Sequence, residues 1–307
     1  MKAYRYDLLG FPIESELPLP AAQVDSRPRL HIGFADGEPP RVLDAPPLAR
    51  RDSGAAGHTI RSAEGGYLLT FSTHASLFVD EELTRMDIRL GPTGTPELVS
   101  LLVVGVGLSF VATLDGGLVL HSSAVAGPVG LLAFVGPSGA GKSTTAALLA
   151  RVGKRVVSDD ALRVDFRCER YLGTGAGTEL RLRPNALAIA DALGSLGGRA
   201  TSDGRFAITS PRGAFAARPI AGIYVPRIGG ASAREVVARL ANVHEGAIQL
   251  LRALRVGTWL DAAILERQTR AVAALARSVP VYFLDMPPEL PADAAFASDL
   301  ARAVGFE

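Results

Sequence analysis

Eight residues, Gly136-Pro-Ser-Gly-Ala-Gly-Lys142-Ser143, constrain this chain more than any other stretch. They fit G-x-x-x-x-G-K-[ST] without a mismatch, inside "FVGPSGAGKSTTAALLA", with an apolar β-like run before and a helix-like run after. Glycines there let backbone N–H groups turn inward around phosphate oxygens, at the positive end of the following helix. Gly136, Pro137, Ser138, Gly139, Ala140, Gly141, Lys142, Ser143 and Thr144 are therefore the candidate nucleotide-binding residues. Lys142 is placed to neutralise the β/γ oxygens, and the Ser143 hydroxyl to ligate Mg²⁺. Composition sharpens the reading of Lys142. The chain holds three lysines (Lys2, Lys142, Lys154) against 29 arginines, so a lysine inside the glycine loop is there for its compact ammonium.

A phosphate cradle needs a metal ligand and, for transfer, a base. "VVSDD" ends an apolar strand 17 and 18 residues beyond Lys142, after one helix and one turn. That path returns the strand end to the loop, where carboxylates complete Mg²⁺ ligation. Two adjacent acids suggest divided labour: Asp159 on the metal, Asp160 taking a proton from an attacking hydroxyl. His121 in "LVLHSSAV" lies on the strand expected to pair with the one feeding the loop, where it would orient a carboxylate or touch phosphate. A core histidine fits the same residues. Glu179 in "TELRLR" is a candidate third oxygen ligand. Arg181, two residues on and on the same strand face, is a candidate phosphate or substrate contact. An exposed alternating face is the plainer reading of both.

Around this centre the chain reads as two units. Residues 1–95 carry short strands ("AYRYDLLGFPI", "RLHIGFA", "YLLTFSTHASLFVD", "MDIRLG") between Pro/Gly/Asp-rich breaks, and "GPTGTP" at 91–96 marks a boundary. His31, His58 and His74 are isolated there and carry no catalytic constellation. Residues 97–307 alternate strands and helices, the pattern of an α/β domain. Helices are expected over "AREVVARLANVHEGA", "QLLRALRV" and "LDAAILERQTRAVAALARSV", and strands over "GIYVPRI" and "PVYFLDMP". The apolar run 98–114 is 17 residues, short of the about 20 that span a bilayer, so it is read as a buried helix and no membrane is expected. A net charge of +1 gives no electrostatic case for nucleic acid. The lone Cys168 fits a reducing compartment, and no signal peptide is read at "MKAYRYDLLGFPIESELP", so a cytoplasmic location is expected.

Taken in order, His121, "GPSGAGKST", "GKRVVSDD" and "ELR" resemble the catalytic domain of HPr kinase/phosphorylase, bacterial protein-serine kinases on a phosphoenolpyruvate-carboxykinase-like P-loop core. The resemblance covers residues 120–182 and is thin beyond them. It implies catalytic roles for His121, Lys142 and Asp160 (the base), metal ligation by Ser143 and Glu179, and a homo-oligomer. It also implies Mg²⁺ as cofactor, a nucleotide donor (ATP, with GTP or pyrophosphate open), and a peptide or protein serine as acceptor. Two departures stand out: Leu182 replaces the family's glycine after Leu-Glu-x-Arg, and "VPVYFLDMP" occupies the place of a Pro-Gly-Arg-Asn loop. These count against a phosphorylase half-reaction and against HPr itself as acceptor. The opening, Y-x-L-x-G-x-x-I-x-S-E-x-x-L-P from Tyr6, is similar to HPr-kinase-related proteins, among them kinases of lasso-peptide precursors. The N-terminal unit then reads either as acceptor recognition or as a packed cap. Two other readings stay open: a nucleotide-binding regulator without transfer, and a small-molecule or carboxykinase-like enzyme. In each of them Lys142→Ala should weaken nucleotide binding at least about tenfold, the loss of one charge-assisted contact, in titrations with a fluorescent ATP analogue; unchanged affinity would remove the cradle.

Overall fold

The computed structural model describes residues 3–306 except 53–56, 178, 187–188, 190–197, 202–203, 210–215, 230–234 and 257. It is a mixed α/β protein with several sheets and a β-rich N-terminal part. Eight strands build the first sheet: β1 (Tyr4–Leu8), β2 (Phe11–Ser15), β3 (Leu30–Phe34), β4 (Ala49–Arg51), β5 (His58–Ala63), β6 (Gly66–Phe71), β7 (Ala75–Asp80) and β8 (Arg85–Leu90). They lie in the order β1-β2-β3-β8-β7-β6-β5-β4, so β4 is an edge strand. Two runs that read as single strands are hairpins. "AYRYDLLGFPI" reverses at Leu9 and Gly10, both at positive φ, and "YLLTFSTHASLFVD" reverses between β6 and β7. The first turn is hidden in the sequence because Leu9 is itself fully buried, so the apolar run continues through the reversal.

One long helix, α1 (Pro96–Leu114), closes the face of this sheet. Thr95 caps its start, accepting from the Leu98 amide, and Pro96 takes the first position, where a missing N–H is harmless. Its 19 residues are long and apolar enough to cross a membrane, yet most of the helix is buried within the protein. Phe110 meets Tyr67 of β6 edge-on at 5.3 Å and stacks on Trp259 at 6.0 Å. The helix that the sequence groups with the second unit thus shares its core with the N-terminal sheet.

The second part is organised around β11 (Gly130–Val135), the strand entering the glycine loop. Before it come β9 (Leu118–Leu120) and β10 (Ser122–Gly127); after it come α2 (Lys142–Arg151), β12 (Arg155–Ser158), β13 (Leu162–Arg167) and β14 (Arg170–Gly175). β15 (Glu179–Leu182), β16 (Gly198–Ala200) and β17 (Phe206–Thr209) form a small separate sheet. Then follow β18 (Arg218–Ile228), β19 (Val237–Leu240), α3 (Val243–Arg252), α4 (Ala262–Ser278), β20 (Val281–Met286) and α5 (Ala294–Ala303). β11 runs antiparallel to β10 and parallel to β18, which runs parallel to β20. Every residue of β11 after Gly130 is buried.

The expected helix over 233–247 is corrected in part. Residues 237–240 are a strand antiparallel to β20, and the helix begins at Val243 (residues 233–234 lie outside those described). Of its apolar residues only the small Ala238 is partly buried, Val237 and Leu240 being exposed, so hydrophobic spacing carried little strand signal. Asn242 and Glu245 form a reciprocal capping box that fixes the helix start. The expected helix over "QLLRALRV" ends at Arg252, because residues 253–256 turn to bond the backbone at Val119 and His121.

The two parts meet through mixed contacts. Phe11 lies between the guanidinium groups of Arg29 and Arg163, at 5.1 and 5.0 Å from its ring centre, and both arginines bind Asp115. Because α1 and Trp259 lie in one core with the N-terminal sheet, Phe110→Ala should cost about 3–5 kcal/mol. Trp259, the chain's one tryptophan, reports this core by fluorescence in urea unfolding. A transition unmoved by the substitution would show that the shared core is not what holds the helix.

Candidate active site

The glycine loop crosses from β11 to α2 with Gly136, Gly139 and Gly141 all at positive φ. Gly141, at φ 94°, is the N-cap of α2 and offers no side chain to its first amides. A Cβ at this position would also lie 2.6 Å from Ile228 Cδ1. The helix N-terminus is thus left open for an anion. Lys142 is 6% exposed, and its Nζ donates to the carbonyl oxygens of Gly136 (3.0 Å) and Pro137 (3.1 Å). Burial pushes its ammonium down to about 8, against the pull of Asp159 and Asp160. Ser138 accepts from Arg183 at 2.7 Å.

The acids at the end of β12 arrive at this loop. Asp159 Oδ1 accepts from Ser143 Oγ at 2.8 Å and from Ser123 Oγ at 2.5 Å, while its Oδ2 accepts from the Arg181 amide at 2.8 Å. Burial raises its pKa; the three donors oppose the rise and the neighbouring Asp160 charge adds to it. Asp160 is held at φ 86°, a left-handed conformation that costs a non-glycine residue of order 1 kcal/mol or more. Its Oδ2 binds Arg255 Nη2 at 2.7 Å. Burial would raise this carboxyl too, but Arg255, then His121, hold it far below the usual carboxylate range. Neighbouring acids are therefore pushed in opposite directions.

His121 sits at the break between β9 and β10, its amide bonded to Ala253 O at 2.6 Å. Burial pushes the imidazole down to about 3; Asp160 pulls the other way, while Arg255, Lys142 and Arg51 add to the depression. The ring is neutral at pH 7, and its Nε2 stands 3.5 Å from Asp160 Oδ1, too long for a strong hydrogen bond.

These groups line one cleft of about 470 Å³. It gathers Ser138, Gly139, Gly141, Lys142, Ser143, Thr144, His121, Asp159, Asp160 and Arg181 from the sequence reading. Glu179 does not line it: that carboxylate binds Arg199 at 3.1 Å. Gly136, Pro137 and Ala140 do not line it: Gly136 O and Pro137 O accept from Lys142, and Pro137 O also accepts from the Ala140 amide at 3.2 Å. The cleft adds residues that sequence reasoning missed: Arg255, Arg51, Arg183 and Arg205, and an apolar wall of Leu98, Leu101, Leu102 and Val106 from α1. Ser123 escaped notice although it stands two residues from His121. Nothing local marks Arg255 or Arg51.

The wall reaches the acids through a turn of π-helix, Val103–Gly107, of the kind that often marks functional sites. Gly105 packs against the ion pair so closely that a Cβ there would stand 2.7 Å from Arg255 Nη2 and 2.9 Å from Asp160 Oδ2.

No family model and no curated protein matches the chain. Among solved structures, the HPr(Ser) kinase/phosphatase from Coxiella burnetii matches at 11% identity and a TM-score of 0.30, over 61% of this chain and 93% of that one. A likeness of that size carries no argument.

Gly105→Ala should lower stability by about 1–3 kcal/mol, the cost of overpacking, in chemical denaturation. In an Arg255→Ala background the same substitution should cost less, since one of the two crowded groups is gone and the other, Asp160, is released from the pair. Additive losses in this cycle would show that Gly105 is not reserved for the ion pair.

Proposed function

We propose that the protein is a nucleotide- and Mg²⁺-dependent kinase on a P-loop core arranged as in HPr kinases, transferring a phosphoryl group to a serine hydroxyl of a peptide or protein. The observation that carries this reading is the 2.8 Å bond between Ser143 Oγ and Asp159 Oδ1, which joins the glycine loop to the strand-end acids. Charge supports it as well. The lining holds six cationic side chains (Arg51, Lys142, Arg181, Arg183, Arg205, Arg255) against two carboxylates, an excess suited to a polyphosphate.

The donor set fits Mg²⁺ at one point: a hydroxyl and a buried carboxylate, both hard oxygens, converge beside the open helix end. Ser143 and Asp159 would hold the ion, which supplies charge neutralisation on the phosphate oxygens. Glu179 would join only by leaving Arg199. Lys142 would turn from the loop carbonyls to the bound phosphates. Asp160 would orient the acceptor hydroxyl and receive its proton as the oxygen–phosphorus bond forms and the bond to the bridging oxygen breaks. The electron pair of that broken bond leaves with the nucleoside diphosphate. The apolar wall of α1 beside Asp160 favours a peptide side chain over a small polar metabolite as acceptor.

One feature favours a second reading, a nucleotide-binding regulator: Asp160 is tied to Arg255 and is a weak base. Incubation with γ-labelled ATP and serine-containing peptides separates the two, because a regulator labels nothing. If the kinase reading holds, Asp160→Asn should keep nucleotide affinity within threefold and lower transfer at least about 100-fold, the usual worth of a positioned base. Retained transfer in that variant would remove Asp160 as the base.

A further inference from the structure

Among the six cations lining the cleft, Arg51 stands apart. It alone comes from the N-terminal sheet, on the edge strand β4. Lys142 is occupied by loop carbonyls, Arg183 by Ser138 and Arg255 by Asp160, and Arg181 and Arg205 are also engaged. Arg51 has no hydrogen-bond or ion-pair partner among the described residues, although its neighbour Arg50 binds Asp52 on the outer face. Strand alternation accounts for the difference: Arg51 shares the inward face with the fully buried Ala49, and Arg50 lies on the other.

The backbone that presents Arg51 is fixed from the catalytic side. Ala49 pairs with Trp259, the Arg50 amide bonds to Thr258 O at 3.2 Å, and the Leu260 amide bonds to Leu48 O at 2.7 Å. The same segment, a few residues earlier, carries Arg255 onto Asp160. Residues 253–261 therefore bind the acid at one end and β4 at the other. Arg51 lines the same cleft as His121 and Asp160.

Resting on the phosphoryl-transfer reading of this site, we propose that Arg51 contacts the phosphoryl group in flight, so that the N-terminal sheet completes the active site. A partnerless guanidinium held at a phosphate cleft can grip two equatorial oxygens at once and absorb the charge spread over them in the transition state. Arg51 makes and breaks no bond. The acceptor oxygen bonds to phosphorus, the bridging oxygen leaves with its electron pair on the nucleoside diphosphate, and the acceptor proton passes to Asp160.

The test compares two probes on the full chain: Mg²⁺–ADP alone, and Mg²⁺–ADP with fluoroaluminate, which mimics the phosphoryl group in transit. Arg51→Ala should leave ADP affinity within twofold and the melting temperature unchanged, while affinity for the fluoroaluminate complex falls at least tenfold. Arg51→Lys should lose less, keeping charge without the fork. Equal affinity of wild type and both variants for the fluoroaluminate complex would overturn the proposal, as would an equal loss for ADP alone. A wild-type protein that binds neither probe overturns the phosphoryl-transfer reading itself, and this inference with it.

Discussion

A partly buried ion pair, Arg255 on Asp160, decides where three distant segments of the chain meet. Arg255 is 8% exposed and Asp160 29%, and withdrawing charge from water even this far costs stability unless the geometry holds. Here the geometry is held by backbone. The Arg255 amide bonds to Val119 O, the His121 amide bonds to Ala253 O, and Leu254 bridges to Leu120. Asp160 accepts a left-handed backbone in return. On the third side lies Gly105, where no side chain fits. Strand end, loop and helix are thus locked around one contact, and the loop carries the N-terminal sheet with it through β4.

What could be read in advance divides along sequence distance. The glycine loop and the Asp-Asp strand end were legible because a single helix and turn separate them, and local geometry dictates their return to one point. Arg255 lies 95 residues beyond Asp160, in a turn with no motif, and its position follows from tertiary pairing with β9. Arg51 is invisible for the same reason: a three-residue edge strand reaches the cleft only because residues 258–261 hold it there. The hairpin at Leu9 and Gly10 was hidden by burial of the turn itself. The start of α3 is set by the Asn242–Glu245 capping box, which apolar spacing does not register. Helical period is a weak guide where an edge strand buries little.

The adjacent acids divide by environment rather than by identity. Asp159 receives three hydrogen bonds, from Ser123, Ser143 and the Arg181 amide, so its lone pairs are directed at donors. Asp160 faces Arg255 and the cleft, and the Arg255 charge holds its carboxyl well below the usual range. For an acyl transfer such weak basicity would be a handicap. For phosphoryl transfer it is not, because the transition state is loose and the attacking hydroxyl becomes acidic only once the bond to phosphorus is largely made. Were Asp160 the base of the proposed transfer, orienting the hydroxyl early and accepting its proton late would suit that order of events.

On the proposed phosphoryl-transfer reading, water must be kept from acting as the acceptor, and α1 bears on this. Its wall of Leu98, Leu101, Leu102 and Val106 lines the same cleft as Asp160. An apolar wall offers an attacking water no hydrogen-bond partner of its own, whereas it can pack against the flanks of a peptide. The π-turn makes this possible. The helix changes step at Val103–Gly107, and Ser109 Oγ bonds to the Gly105 carbonyl at 2.5 Å where the regular ladder is interrupted. A straight α-helix would carry its residues past Gly105 in a different register, and the side chain brought against the ion pair would have to be accommodated by parting it. The irregularity in α1 and the missing side chain at Gly105 are therefore one adaptation, which lets an apolar wall stand in contact with the Arg255–Asp160 pair.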